Sequence, residues 1–343
     1  MSKNKDKGKS NLFHSKELLK LYNGGQLDVV LDQFSDVINQ ENFLGGGGDA
    51  SGFLYKGGKK VLKLCLKKIG YFKRYGHGSK ELGLSEAEQF KEHINSYLLK
   101  GSKHGLEKGV PHGGLRGESP PNFFVPIEEI LYEDENVFIY TQNRCQLLKK
   151  DFISPRIVIG VIQMIQFMLR KNILVTDISP HNLGLLKGQV VLFDYHGLHP
   201  FQRRDGTIKR RKWCGRILKN LARYLSYIYA PEKIAEYTEL MESVDYHAIK
   251  KLKSDGLLPH TFIQLAIYVN FGGKDESSDS IAINVDKLFD LLQNIILDIL
   301  HFFHFQPKQL SRIHCLCNLC IEGHGHGHGI DNHNVDDSDS DSD

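Results

Sequence analysis

Asp177, Asn182 and Asp194 fall close together in the chain. The first two bound Asp177-Ile178-Ser179-Pro180-His181-Asn182, and the third ends Val191-Leu192-Phe193-Asp194. Carboxylates accept protons and bind hard cations, and an amide oxygen adds a neutral ligand. A single aspartate in such a place would more simply serve a surface turn, bonding its own backbone. Three such residues at fixed steps, framed by the apolar runs Ile173-Leu174-Val175 and Val190–Phe193, argue for a built site instead. A short loop closed by two strands can bring all three side chains to one side.

The spacing resembles the catalytic loop and metal-binding motif of the protein kinase superfamily, Asp-x-x-x-x-Asn followed by Asp-Phe-Gly. Pro180, three residues after the first aspartate, fits as well. The resemblance covers roughly residues 44–230 and implies an α+β, two-lobed fold, with a small β-rich N-lobe, a helical C-lobe and an ATP cleft between them. It also implies roles. Asp177 would accept the proton of the acceptor hydroxyl, while Asp194 and Asn182 would bind Mg²⁺ on the ATP phosphates. Gly47-x-Asp49-x-x-Gly52-x-Leu54 is similar to the family's glycine-rich loop with its middle glycine replaced. Gly48 and its neighbours can compensate, since a loop without side chains lets backbone N–H groups approach phosphates. Lys63, in Val61-Leu62-Lys63, stands where the family's phosphate-contacting lysine stands. Its glutamate partner would be Glu88 or, one turn on, Glu92, with Glu88 preferred.

Departures from the family keep three functions open. Val175-Thr176 replaces the His-Arg before the catalytic aspartate, Ser179 replaces a lysine, and Tyr195-His196-Gly197 replaces Phe-Gly. The first reading is a phosphotransferase acting on protein serine or threonine. The second acts on a sugar, lipid or other small molecule, favoured by Ser179 and by a helix soon after Asp194. The third is a pseudokinase that binds partners without transfer, although Lys63, Asp177, Asn182 and Asp194 are all present. Ala230-Pro231-Glu232 matches the tripeptide that closes the family's activation segment, in a stretch short enough for coincidence.

The elements that must position these residues follow from periodicity. Residues 11–43 carry apolar positions at helical spacing and predict one or two short helices. Phe53–Tyr55 and Val61–Leu66, around Lys56-Gly57-Gly58-Lys59, predict a hairpin. On the second strand Val61, Lys63 and Cys65 share one face, and Leu62, Leu64 and Leu66 share the face that enters the core. Lys59, Lys60, Lys67 and Lys68 read as solvated edge charges. Residues 85–99 predict a helix capped by Ser85, with Glu88 at the capping-box position. The glycine- and proline-rich residues 100–121 read as a loop. Strands are expected at Phe123–Leu131 and Val137–Thr141, a buried helix at 155–171, and helices at Arg216–Tyr229, Ala230–Leu240, Phe262–Tyr268 and Val285–Phe303.

The chain has 343 residues, 41% of them hydrophobic, enough for a core. The expected divisions are an N-terminal extension (1–43, disordered to residue 10 and then helical), an N-lobe (44–141), a helical C-lobe (142–322) and a low-complexity tail (323–343). A net charge of +3 predicts no specific nucleic-acid partner. The expected partners are ATP and a protein or small-molecule phosphoacceptor. Positive charge is local, as in Arg203–Lys212, a stretch that would suit an acidic or phosphorylated ligand or else a solvated hairpin. The Lys-rich, polar start does not read as a secretory leader, no transmembrane helix is expected, and the six cysteines are unevenly spread. A cytoplasmic setting follows, in the host cytoplasm or a virion if the chain is viral. His314-Cys315-x-Cys317-x-x-Cys320-x-x-x-His324 has zinc-ligand residue types at cramped spacing, and free thiols are the simpler reading. The terminal Asp-Ser repeat reads as a phosphoacceptor for acidophilic kinases or as a solubilising tail.

Overall fold

Five strands, β1 (Phe43–Gly46), β2 (Ala50–Tyr55), β3 (Lys60–Leu66), β4 (Ile127–Glu133) and β5 (Val137–Asn143), form an antiparallel sheet in the order β1-β2-β3-β5-β4. The β2–β3 turn takes left-handed φ angles at Lys56, Gly57 and Gly58, a conformation glycine adopts without strain. Tyr55 pairs with Lys60 across it, as the hairpin requires. This computed structural model describes residues 9–67, 83–99, 123–171, 173–175, 177–194, 198–200, 208–243, 256–271, 280–281 and 284–304, all within one compact unit. The expectations for residues 1–8, Lys68, the loop at 100–121, Tyr195-His196-Gly197, residues 203–207, the cysteine cluster and the tail lie outside the described residues.

Alternation along β3 sorts its side chains as expected. Leu62, Leu64 and Leu66 join Phe53, Val137 and Ile139 in one buried cluster. The other half of that cluster is the N-terminal segment. Helix α1 (Lys16–Asn23) is capped by Ser15, whose Oγ accepts from the Leu18 N–H. Leu18 and Tyr22 of α1, Leu27, Val30 and Leu31 of α2 (Asp28–Gln33) and its approach, and Ile38 cover this face of the sheet. Each such aliphatic side chain contributes about 1.5–3 kcal/mol on burial. The segment expected as an extension is therefore integral to the core. It also holds the hairpin below it: Ser51, fully buried on β2, donates to the Leu12 carbonyl at 2.7 Å.

The opposite face receives helix α3 (Glu86–Leu99), where Phe90 meets Phe138 edge-on at 5.7 Å. Ser85 caps it as expected, accepting from the Glu88 N–H at 3.2 Å. Asn95 brackets one residue of β4, donating to the Ile127 carbonyl and accepting from its N–H. Lys67 differs from its expectation as a solvated edge charge. Its side chain is 15% exposed and meets Glu133 at 2.6 Å and Glu86 at 3.0 Å. Lys60, likewise, is paired with Glu128.

Helices then take over. Helix α4 (Pro155–Arg170) is buried along most of its length and packs on α8 (Val285–Phe302), whose N-cap Asn284 accepts from the Lys287 N–H. Between α4 and α5 (Arg210–Tyr229) run β7 (Ile173–Val175), β8 (Leu183–Leu186) and β9 (Gln189–Leu192), with β8 also pairing β6 (Gln146–Leu147). Helices α6 (Ile234–Ser243) and α7 (His260–Phe271) pack on α5. Several boundaries differ from expectation, three of them near the junction of sheet and helices or along α5. Strand β4 starts at Ile127, because Phe123–Val125 instead exchanges backbone bonds with Leu192. Pro126, which has no N–H, separates the two pairings. Helix α5 begins at Arg210 rather than Arg216. Ala230-Pro231-Glu232 forms the tight turn between α5 and α6. The result is an α+β fold of two lobes, an antiparallel sheet first and helices after. Among the described residues no helix is long and apolar enough to cross a membrane.

Candidate functional site

A cavity of about 950 Å³ opens where the sheet meets the helical lobe, within the size range of small-molecule sites. The β1–β2 hairpin supplies Leu44, Gly45, Gly46, Gly47, Ala50 and Gly52 to its wall, and β3 supplies Val61 and Lys63. The end of β5 and the segment after it contribute Gln142 to Leu147, and the helical lobe contributes His181, Asn182, Phe193 and Asp194. Gly47, Gly52, Lys63, Asn182 and Asp194 are thus brought to one space. Gly48, Asp177 and Glu88 are not part of the wall. A Cβ placed on Gly47 or Gly48 would meet nothing, so bareness here leaves the backbone open rather than relieving a clash.

Lys63 is 7% exposed, an unusual position for a cation. Its Nζ donates to the Phe193 carbonyl at 2.8 Å and lies over the rings of Tyr140 and Phe193. Among the described residues it forms no ion pair. Glu88, expected as its partner, instead meets Lys91 at 3.0 Å, one turn along its own helix. The α3 carboxylate that does reach the sheet is Glu86, and it takes Lys67.

Backbone bonds shape the loop between β7 and β8. Asn182 Nδ2 donates to the Asp177 carbonyl at 3.1 Å, and the Ser179 N–H approaches Asp177 Oδ1 at 3.4 Å. The Phe193 N–H donates to the Asn182 carbonyl, tying the residue before Asp194 to the end of the loop. From below, the fully buried Tyr224 of α5 donates its hydroxyl to the Ile178 carbonyl at 2.8 Å, and burial pushes its pKa far above the ordinary tyrosine value. Asp177 itself stands exposed.

The donor set suits a magnesium ion. Asp194 offers a carboxylate, and the bond from Asn182 Nδ2 to Asp177 directs the amide oxygen elsewhere. Magnesium takes one or two protein oxygens and completes its shell with water and phosphate. Among the described residues no cluster of three or more His, Cys, Asp or Glu residues occurs.

The sequence reading missed Gln142, Arg144, Cys145, Lys149 and His181 as wall residues. For the first four the signal was present: they follow directly on the expected N-lobe boundary at residue 141, and a junction beside a cleft must line it. Burial pushes the Cys145 thiol up, and the Lys63 charge pulls part of that back. Packing here is close, since a Cβ on Gly184 of β8 would come 2.5 Å from the Cys145 sulfur.

No family model matches this chain, and no curated protein matches it. Among solved structures, the chain is similar to vaccinia related kinase 3, with a TM-score of 0.41 and 12% identity over 75% of this chain and 87% of that one.

Proposed function

We propose that this chain is an ATP- and Mg²⁺-dependent phosphotransferase acting on protein serine or threonine. The observation that supports it best is the convergence of Lys63, Asn182, Asp194 and the glycine hairpin on one ligand-sized cavity. Lys63, a buried cation without a carboxylate partner among the described residues, would meet the phosphates. Gly47 and Gly52 would let the hairpin backbone lie over them. Asn182 and Asp194 would hold Mg²⁺, which when bound neutralises phosphate charge. Asp177, at the start of the loop, would orient the acceptor hydroxyl and take its proton. The new bond joins the acceptor oxygen to the γ-phosphorus, and the bond to the β,γ-bridging oxygen breaks. ADP leaves with that electron pair.

A small-molecule acceptor is the second reading, favoured by Ser179 and by the long helix α5, which begins already at Arg210.

The test pairs nucleotide binding with γ-phosphate transfer in wild type, Lys63→Met, Asp194→Asn and Asp177→Ala. Lys63→Met should weaken nucleotide binding at least about tenfold, the scale of one lost charge-assisted contact. Asp177→Ala should keep binding and lose about 10²–10⁴ in transfer, the usual contribution of a general base. Binding that ignores both Lys63 and Asp194 would overturn this reading. Binding without transfer to any acceptor would favour the pseudokinase.

A further inference from the structure

We propose that the outer end of the cavity recognises an acidic, serine- or threonine-containing protein segment as the phosphoacceptor; this rests on the phosphotransferase reading above. The cavity wall carries Lys59, Lys63, Arg144, Lys149 and His181 against one carboxylate, Asp194. None of these five basic side chains forms an ion pair among the described residues. The contrast lies on the same hairpin. Lys56 and Lys60 flank Lys59 and pair with Glu129 and Glu128, whereas Lys59 lines the cavity. Arg144 is fixed beside it, its backbone N–H donating to the Lys59 carbonyl and its Nη1 to the Gly58 carbonyl at 3.2 Å.

Geometry separates this charge from the phosphate end. Lys59 ends the turn just before β3, four residues from Lys63, a span of at most about 13 Å along extended chain. A phosphoryl group held at Lys63 leaves Lys59, Arg144 and Lys149 unanswered. All three are exposed, so an arriving polypeptide can meet them. Three like charges at the mouth of a cleft attract an anionic segment and repel a basic one. The chain itself contains a segment of the required class, Asp336-Asp337-Ser338-Asp339-Ser340-Asp341-Ser342-Asp343, in which each serine is flanked by carboxylates. In the transfer, the seryl Oγ bonds to the γ-phosphorus, its proton passes to Asp177, and ADP departs with the bridging oxygen.

The experiment presents the full chain with a fluorescent peptide of the 336–343 sequence and with a counterpart in which every Asp is Lys. Binding without nucleotide is read by anisotropy, and labelling is read with Mg·ATP. Wild type should prefer the acidic peptide about 30-fold at low salt, the order that three partly screened charge pairs supply. The preference should shrink as salt rises. Lys149→Glu should lower the acidic-to-basic ratio severalfold, and the combined Lys59→Glu, Arg144→Glu, Lys149→Glu variant at least about tenfold. A thermal melt shows that each variant is folded. Using the ratio within one variant removes any change in nucleotide affinity. Equal use of the two peptides, or an unchanged ratio in the folded triple variant, overturns the acceptor inference and leaves the phosphotransferase reading standing. Label in a phosphorylated small molecule and in neither peptide does the same. Absence of nucleotide binding by wild type overturns both.

Discussion

Replacing Glu133 with Gln tests what holds helix α3 to the sheet. The Glu133 carboxylate accepts from Lys67 at 2.6 Å and from the Ala87 N–H at 3.1 Å, and the two side chains are only 14% and 15% exposed. Breaking a fully buried pair from one side costs about 3–5 kcal/mol. Here Lys67 keeps Glu86 and the Asp134 carbonyl, and a glutamine oxygen can still receive the Ala87 N–H. The expected loss is therefore about 2 kcal/mol, within the range for a charged hydrogen bond, and about 4–8 °C in Tm for a unit of this size. The pH dependence has a definite sign. Burial would raise the Glu133 pKa, but hydrogen bonds from Lys67, Ser85 and Ala87 outweigh it and hold the carboxyl below its ordinary 4.5. A depressed acid stabilises the fold above its unfolded pKa and loses that contribution as pH falls through the folded one. The gap between wild type and Glu133→Gln should thus be full near neutrality and close below about pH 4.5. Urea unfolding of wild type, Glu133→Gln, Lys67→Met and the double variant gives the coupling. A Glu133→Gln protein within about 0.5 kcal/mol of wild type at pH 7 would mean that α3 is held by Phe90 packing and the Asn95–Ile127 bonds rather than by this carboxylate.

Two further outcomes follow from the site. Tyr224→Phe leaves the buried Ile178 carbonyl without its partner, costing about 1–3 kcal/mol. Because that carbonyl belongs to the loop after Asp177, transfer should fall in kcat with little change in KM for nucleotide, whereas equal loss in both would show general unfolding. Burial pushes the Cys65 thiol up to about 12, so iodoacetamide at pH 8 should leave Cys65 unmodified in the folded protein and label it in urea. Labelling of Cys65 in the folded state, read by peptide mass spectrometry, would show that β3 opens.

That Asn182 and Asp194 share the cavity wall was legible because their spacing is local: both lie within one loop-and-hairpin unit, whereas Asp177 of the same loop stands outside the wall. The alternation of Val61–Leu66 set which face carries Lys63. Ser85 at the start of α3 was legible for the same reason, since capping involves neighbours. What could not be read were pairings across the chain. Phe123–Val125 is as apolar as any strand, but its partner is Leu192, nearly seventy residues on. The α1 and α2 stripe announced a buried face without naming the sheet it covers. Lys67 looked like Lys59, one more lysine at a strand end, yet one is enclosed by Glu86 and Glu133 and the other has no carboxylate partner among the described residues. Charge type sets what a residue can do, and only the fold sets which opposite charges arrive.

The Lys63–Glu88 expectation failed in a way that bears on function. Helix geometry offered Glu88 a partner three residues away, and Lys91 took it. Lys63 was left with a carbonyl dipole and two ring faces, weak compensation for a cation 7% exposed. Leaving a buried charge short of a counter-charge costs several kcal/mol, while an apolar side chain of similar length costs little. Lys63→Met should therefore leave the ligand-free protein as stable as wild type, or raise its melting temperature, while it weakens nucleotide binding. A ligand that binds only the folded state adds stability in proportion to its affinity. Mg·ATP should thus raise the melting temperature of wild type well above its effect on the variant. Should Lys63→Met destabilise the ligand-free protein by about 2 kcal/mol or more, Lys63 is a structural cation already satisfied. The missing anion would then not be the reason for its burial.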